Sequence, residues 1–370
     1  MPPPPTPDLH GSPTGAGMTK KRTSPTLREI AEAVGVDKST VSLVLSGKAR
    51  KVRISPAREA QIIEVARQLH FRPNSAARAT RSGAFDSVAL LMSTSGSYST
   101  MSPRTQCTIH DELAARDISM LLTRLPDEKL TDEGLVPKIL RQVCVDGLLI
   151  NYTDHIPAKM INIIRDNRIP SVWINSKQDG DCIFPDDLSA ALAATQRLIA
   201  EGHRNIAFLN FGHAAKTFDS AHYSAHDRQN GYLAAMSAAG LAPRILREHE
   251  SLRTPQIRPY LTALLRSNSP PTAILTYGDT EMLAVFVVAK ELQINVHDDL
   301  RLMTFADTLL QIADTTIPTY ITPQYPLAKQ AVEMLLRKIA EPATVLPPQA
   351  VAFSYAESFE EFLHAETPHT

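Results

Sequence analysis

The sequence predicts a small all-α helix-turn-helix head followed by a two-lobed α/β core of parallel sheets. Three observations carry that prediction. Two short helical patterns meet at a glycine turn inside Thr26–Gly47, TLREIAEAVGVDKSTVSLVLSG. The stretch Thr19–Ser82 holds fourteen Lys/Arg against five Asp/Glu, a balance of +9 on a chain whose net charge is −1. From Ser87 onward, short apolar runs alternate with amphipathic stretches of helical period, as in parallel sheets covered on both faces.

In the first pattern Leu27, Ile30, Ala31 and Val34 recur at helical spacing until Gly35-Val36-Asp37 interrupts them. Thr26 with Glu29 three residues on forms a capping box, which satisfies orphaned amides and fixes the helix start. Gly35 supplies the backbone freedom of a tight inter-helix turn. Val41, Val44 and Leu45 resume the pattern in a second helix, about Lys38 to Leu45, capped by Asp37 or Ser39. Ser55 as N-cap and Pro56 at the first helical position open a third helix. Its Ile62, Val65, Ala66 and Leu69 are expected to close a small core with Leu27, Ile30, Val41 and Leu45, with Phe71 as a plug. A helix-turn-helix sends its second helix into a DNA major groove. A basic block on an acidic body is the electrostatic footprint of a phosphate-binding head, which an ordinary helical hairpin would lack.

In the core, strands are expected at Val88–Met92, Ile118–Leu122, Val145–Ile150, Ser171–Ile174, Ile206–Leu209, Ala273–Thr276 and Leu302–Phe305. Helices are expected near Arg104–Ala115, Leu135–Val143, Ala158–Asp166, Leu188–Glu201, Arg228–Ala239, Pro255–Arg266 and Thr280–Leu292, with late crossovers near Tyr320–Pro326. Such sheets bind ligands at the carboxyl ends of their strands.

At 370 residues the chain is long enough for two or three domains. Residues 1–18 are rich in Pro, Gly, Ser and Thr and are expected to be a disordered tail. That tail has no apolar run, so neither a signal peptide nor a membrane anchor is expected, and no later stretch is apolar enough to span a bilayer. The three cysteines, Cys107, Cys144 and Cys182, lack metal spacing and read as reduced thiols. A cytoplasmic, soluble protein is the expectation.

Thr26–Ser82 resembles the DNA-binding headpiece of the LacI/GalR family of bacterial transcriptional regulators. The resemblance rests on TLREIAEAVGVDKSTVSLVLSG, then SPAREAQIIEVARQLHF, then RPNSAARATRSG, in that order. It extends over about residues 26–362 and implies a two-lobed, periplasmic-binding-protein-like core. It also implies an organisation: a disordered tail over 1–24, a headpiece over 25–72, a hinge helix or linker over 73–84 and an effector-binding, dimerising core over 85–370. Within that core, the N-lobe takes about 85–187 plus 323–341 and the C-lobe about 188–322 plus 342–365.

By family position, Lys38 and Ser39 face base edges while Thr40 and Ser42 sit against phosphates. Leu43 stands where the family often has arginine; an aliphatic chain there contacts a thymine methyl or packs inward. Thr26, Lys48, Arg53, Asn74, Arg78, Thr80 and Arg81 complete the DNA-facing set. In the family the hinge segment folds on the operator and carries a leucine wedge where Thr80 stands. A threonine cannot part a base step as an apolar wedge does, so weaker kinking, or readout through Arg78 and Arg81, is expected.

For the effector, the resemblance implies Ser95, Tyr98, Asn175, Arg228, Asp279 and Phe305. Arg228 is expected to project into the interlobe cleft, where a guanidinium fork grips vicinal hydroxyls or a carboxylate in two bonds. The alternative is an ion pair with Asp227. Asp279 caps a helix or accepts from a sugar hydroxyl. Phe305-Ala306-Asp307 stands where relatives commonly have an aromatic followed by two aspartates, so Ala306 removes one acidic ligand group. Trp173, the only tryptophan, reads as buried packing more readily than as a stacking platform.

No GxGxxG, GxxxxGK[ST], HExxH or GxSxG occurs, and the irregular spacing of His213, His222 and His226 argues against a metal. No catalytic residue, metal ligand or cofactor is therefore assigned. The reading is a homodimeric repressor that binds a pseudo-palindromic double-stranded operator under control of a small-molecule effector, a sugar or sugar derivative. The alternative is a soluble sugar-binding receptor that shares the core and regulates no DNA.

Overall fold

The computed structural model describes residues 25–46, 49, 54–72, 83–94, 99–125, 138–141, 144–153, 156–211, 222–246 and 254–366. The chain divides into two compact units, Met1–Gly83 and Ala84–Thr370. Among the described residues no helix is long and apolar enough to cross a membrane.

The first unit holds α1 (Leu27–Val34), α2 (Lys38–Leu45) and α3 (Pro56–Gln68). The capping box forms as its residue types require: Thr26 N–H donates to Glu29 Oε2 at 2.6 Å, and Glu29 N–H to Thr26 Oγ1 at 3.3 Å. Gly35 ends α1 in the left-handed region at φ 72° and donates to the Ala31 carbonyl at 2.9 Å. A side chain with a Cβ would be strained there, which is why the turn takes glycine. Asp37 occupies the N-cap of α2, but its side chain makes no capping bond. Ser55 Oγ accepts from Arg58 N–H at 3.3 Å and starts α3. Ile30, Val34, Val41, Val44 and Ile62 form the core, with Leu27, Leu45, Val65 and Phe71 packed against it. Leu69 departs from the expectation: it falls at the C-cap of α3, off the inward face, and is 38% exposed.

The second unit contains two six-stranded sheets. The first has the strands β1 (Ser87–Ser93), β2 (Ser119–Leu125), β3 (Gly147–Asn151), β4 (Ser171–Ile174), β5 (Cys182–Pro185) and β13 (Gln349–Val351), in the order β13-β5-β4-β3-β1-β2. All its pairings are parallel. The second has β6 (Ile206–Leu209), β7 (Arg244–Leu246), β8 (Ala273–Thr276), β9 (Arg301–Ala306), β12 (Thr319–Ile321) and β14 (Ser354–Ala356), in the order β14-β12-β9-β8-β6-β7. Only β14 runs antiparallel. A small hairpin, β10 (Leu310–Ile312) with β11 (Thr315–Ile317), stands apart from both.

Each sheet buries an apolar cluster on both faces, as its continuous apolar strands demand. On one face of the first sheet lie α4 (Pro103–Ala114) and α11 (Gln324–Ala340). On the other lie α5 (Lys138–Arg141) and α6 (Ala158–Asp166). The second sheet is covered by α9 (Thr254–Leu265) and α10 (Asp279–Glu291) on one face. On its other face lie α7 (Asp187–Ala200) and α8 (Tyr223–Ala238). The last described element is α12 (Phe359–Glu366).

The chain crosses between the sheets three times: after Pro185, after Ile321 and between Val351 and Ser354. The last crossing corrects the expected boundary, which put all of 342–365 in the C-lobe. Lys338 Nζ binds Asp181 Oδ2 at 2.7 Å and the Thr344 carbonyl at 2.6 Å, and Leu346 N–H donates to Asp181 Oδ1 at 2.9 Å. These bonds hold the returning chain on the first lobe until β13 has paired with β5.

Candidate nucleic-acid interface and ligand cleft

On α2 the apolar positions Val41 and Val44 point into the head's core, at 0% and 4% exposure. That anchoring leaves Lys38 and Ser39 exposed and Thr40, Ser42 and Leu43 half-buried. Thr26 is exposed at the start of α1. Other cations of this unit are held on its own surface: Arg28 pairs with Glu32 at 2.7 Å and Arg67 with Glu64 at 2.8 Å. Arg58 donates to the Val34 carbonyl at 3.2 Å and ties α3 to the end of α1. Lys38 enters no ion pair among the described residues, so its charge faces outward uncompensated. Lys48, Arg53, Asn74, Arg78, Thr80 and Arg81 lie outside the described residues.

In the core, a cavity of about 310 Å³ opens where strands of both sheets end. Asn151 comes from the carboxyl end of β3, Asn175 from beyond β4, Pro185 from β5 and Asp307 from beyond β9. This is where parallel α/β sheets place their ligands. Ser102, the N-cap of α4, and Gln324, the first residue of α11, close one side. Ser102 Oγ donates to Gln324 Oε1 at 2.7 Å, and Gln324 Nε2 donates to the Asp307 carbonyl at 3.0 Å. Gln324 therefore links the first lobe to the end of β9. Asn151 is 1% exposed; its Nδ2 donates to the Thr100 carbonyl at 2.9 Å, while its Oδ1 has no hydrogen-bond partner among the described residues.

Arg228 sits elsewhere. Its Nε donates to Asp187 Oδ1 at 2.6 Å and its Nη1 to the Tyr277 carbonyl. The guanidinium carbon lies 4.5 Å from the Phe305 ring centroid and 4.7 Å from that of Tyr277. Two of its three nitrogens are thus committed inside the second lobe. The partner expected from sequence, Asp227, is taken by Lys177 instead. Burial pushes the Asp187 carboxyl up from the ordinary aspartate range, against the pull of Arg228.

Of the six residues expected at the effector, Asn175 lines the cavity. Ser95 and Tyr98 lie outside the described residues. Phe305 is 2% exposed and packs among Arg228, Tyr320 and Phe353, so its ring is core. Asp279 is the exposed first residue of α10, whose N-cap is Gly278, and it does not line the cavity. Trp173 is buried under the first sheet.

Asn175 has a second role. It adopts a left-handed φ of 55°, which asparagine tolerates. Its carbonyl bonds His222 Nε2 at 2.8 Å, and its Oδ1 accepts from Tyr223 OH at 3.1 Å. With Lys177–Asp227, these contacts join the end of β4 to the start of α8, lobe to lobe. Reading the sequence missed Asn151 and Gln324 as lining residues, and named Asp307 only within the run Phe305-Ala306-Asp307. A signal for Asn151 was present: it ends the buried run GLLIN as Asn175 ends SVWIN, a polar residue at the carboxyl end of a core strand.

Comparison with known proteins agrees with this architecture. Residues 26–74 match the pattern described as "Bacterial regulatory proteins, lacI family", and residues 195–353 match "Periplasmic binding protein-like domain". The chain is 25% identical over 318 residues to the probable HTH-type transcriptional regulator EndR of Paenibacillus polymyxa, covering 85% of this chain and 90% of that protein. It is 28% identical over 330 residues to the ribose operon repressor of Escherichia coli K12, covering 86% and 94%. In fold it is similar to the Lac repressor bound to ONPG in the repressed state. There the TM-score is 0.70 at 20% identity, over 90% of this chain and 98% of that one.

Proposed function

We propose that this chain, which belongs to the lacI family of bacterial regulatory proteins, is a DNA-binding transcriptional repressor whose operator affinity is set by a small molecule held between its lobes. The observation that carries the reading is the pairing of a basic, capped helix-turn-helix with a body that opens a cavity at its strand ends. Its role is regulatory rather than enzymatic. Lys38 and Ser39 would read base edges and Thr26, Thr40 and Ser42 would bind phosphates, with Leu43 against a thymine methyl. Lys48, Arg53, Asn74, Arg78, Thr80 and Arg81 would extend the DNA-facing surface.

A homodimer would place two heads on half-sites about one DNA turn apart. The exposed Leu121 and Leu122 on edge strand β2, and Leu283 and Val287 on α10, are apolar surface that a second copy would cover. The effector, a sugar or sugar derivative, would alter the lobe angle and so the DNA affinity of the heads. By linkage, DNA must alter effector affinity by the same factor. Asn175, which touches both the cavity and α8, would carry part of that coupling.

Binding of the full chain to a pseudo-palindromic duplex, followed by fluorescence anisotropy across a salt series, tests the reading. Log affinity should fall steeply and linearly with log salt, at about −0.9 per phosphate neutralised. Lys38→Ala should weaken operator binding by about 1–3 kcal/mol and relax preference at the base it contacts. A chain lacking residues 1–82 that binds the duplex as well as the full one would refute it.

A further inference from the structure

We propose that Asp37 is an electrostatic brake on DNA binding: its carboxylate, at the start of α2, stands against the phosphates and lowers affinity for every duplex alike. This rests on the reading of α2 as the helix that enters the major groove.

The three helices of the head start differently. Thr26 caps α1 and Ser55 caps α3, each side chain accepting from a backbone N–H at 3.3 Å. Asp37 holds the N-cap of α2 with the extended backbone that the position takes, φ −71° and ψ 147°, yet its carboxylate makes no capping bond. Aspartate, asparagine and serine cap about equally well, so a negative charge is not what the helix start demands. The other acids of the head are engaged or sheltered. Glu29 accepts from the Thr26 N–H, Glu32 pairs with Arg28 and Glu64 with Arg67. Glu59 lies half-buried in the first turn of α3, where the helix dipole favours it. Asp37 is exposed, and its carboxylate has no partner among the described residues.

Its place on the helix decides what that charge meets. A helix-turn-helix presents the N-terminal end of its reading helix to the bases. Lys38 and Ser39 are exposed there, whereas Asp37 stands one turn before the buried Val41 and so lies off the leading face. A helix about 10–12 Å across fills a major groove about 12 Å wide, so a side chain at this end that does not lead toward the bases meets the groove wall. Those walls are phosphates, which repel a carboxylate whatever the sequence between them. One pair of unit charges about 4 Å apart in water changes an equilibrium about fivefold. Lys38 attracts the backbone and Asp37 subtracts from that attraction. The head then binds weakly enough for an allosteric coupling of ordinary size to release it.

Fluorescence anisotropy of the full chain reads the brake on two duplexes: a pseudo-palindrome selected from a library randomised over both half-sites, and a duplex of unrelated sequence. Asp37→Asn and Asp37→Ser keep a capping side chain and drop the charge. Both should tighten binding about three- to tenfold near about 0.1 M salt, by the same factor on each duplex, and the gain should shrink as salt rises. Hydrogen exchange of α1, α2 and α3 at wild-type rates shows the head folded in each variant. Unchanged or weakened affinity in folded variants overturns the brake. A gain confined to one duplex, or a changed base preference in the library, makes Asp37 a reader of sequence and overturns it as well. Failure of the wild-type chain to enrich any duplex from the library removes the reading of α2 itself, and the proposal with it.

Discussion

Asp227 and Arg228 are consecutive residues of α8, and both are ion-paired, yet the two pairs do different work. Lys177–Asp227 spans the lobes at the surface, with side chains 40% and 15% exposed. Arg228–Asp187 lies within the second lobe, at 12% and 1%. Water screens the first pair and pins nothing permanently. It is excluded from the second, where each charge depends on the other. Adjacent residues on a helix point about 100° apart, so one turn of α8 presents a removable latch to the cleft and a fixed strut to α7.

The largest effect should come from breaking the strut. Arg228→Ala leaves the Asp187 carboxylate buried without its partner, which costs about 3–5 kcal/mol. Urea unfolding of the full chain should show that loss as a lowered midpoint. Arg228→Met combined with Asp187→Asn removes both charges and should recover most of it. A single substitution costing under about 1 kcal/mol would mean that the pair is not a strut.

Next is Gly231→Ala, one turn beyond Arg228. A Cβ there would lie 2.4 Å from the Leu188 carbonyl oxygen and 2.7 Å from the Leu192 amide nitrogen, both backbone atoms of α7. Removing a helix-interior glycine gains about 1 kcal/mol in propensity. Forcing two packed helices apart typically costs about 1–3 kcal/mol, so the net change should be destabilising. Because the shift would also stretch Arg228–Asp187, Gly231→Ala and Arg228→Ala should combine to less than their sum, which a double-mutant cycle measures.

These two contacts also mark where the sequence stops being legible. Whatever depends on local pattern could be read from it: the capping box at Thr26, the bounds of α2, the core strands Ser171–Ile174, Ile206–Leu209 and Ala273–Thr276. Strands that escaped, among them Cys182–Pro185, Arg244–Leu246 and Gln349–Val351, are paired through partners distant in sequence, which no local pattern announces. Arg228 was legible as a residue of consequence but not in its direction, because Asp187 is 41 residues away in sequence and its carboxylate has no local signature. Asn151 was legible as the polar end of a buried run but not in its consequence, an open acceptor among the described residues whose amide nitrogen the fold places on the Thr100 carbonyl.

The smallest effect on stability, and the one that sharpens the comparison most, is Lys177→Ala. Lys177 bonds Asp227 and hangs its ammonium 5.0 Å from the Phe184 ring centroid and 5.2 Å from that of Tyr223. Exposed pairs of this kind contribute about 0–1 kcal/mol, so the unfolding midpoint should scarcely move. The substitution nevertheless removes a contact made only when the β4 end and α8 are together. If the lobes open and close, the loss falls on that equilibrium alone, and effector affinity should drop by up to about fivefold with stability unchanged. The wild-type advantage should shrink as ionic strength rises past 0.15 M, where the Debye length is about 8 Å and still falling. An affinity that ignores both the substitution and the salt would mean that the lobes are held by the His222 and Tyr223 bonds to Asn175, and that Asp227 is paired without consequence.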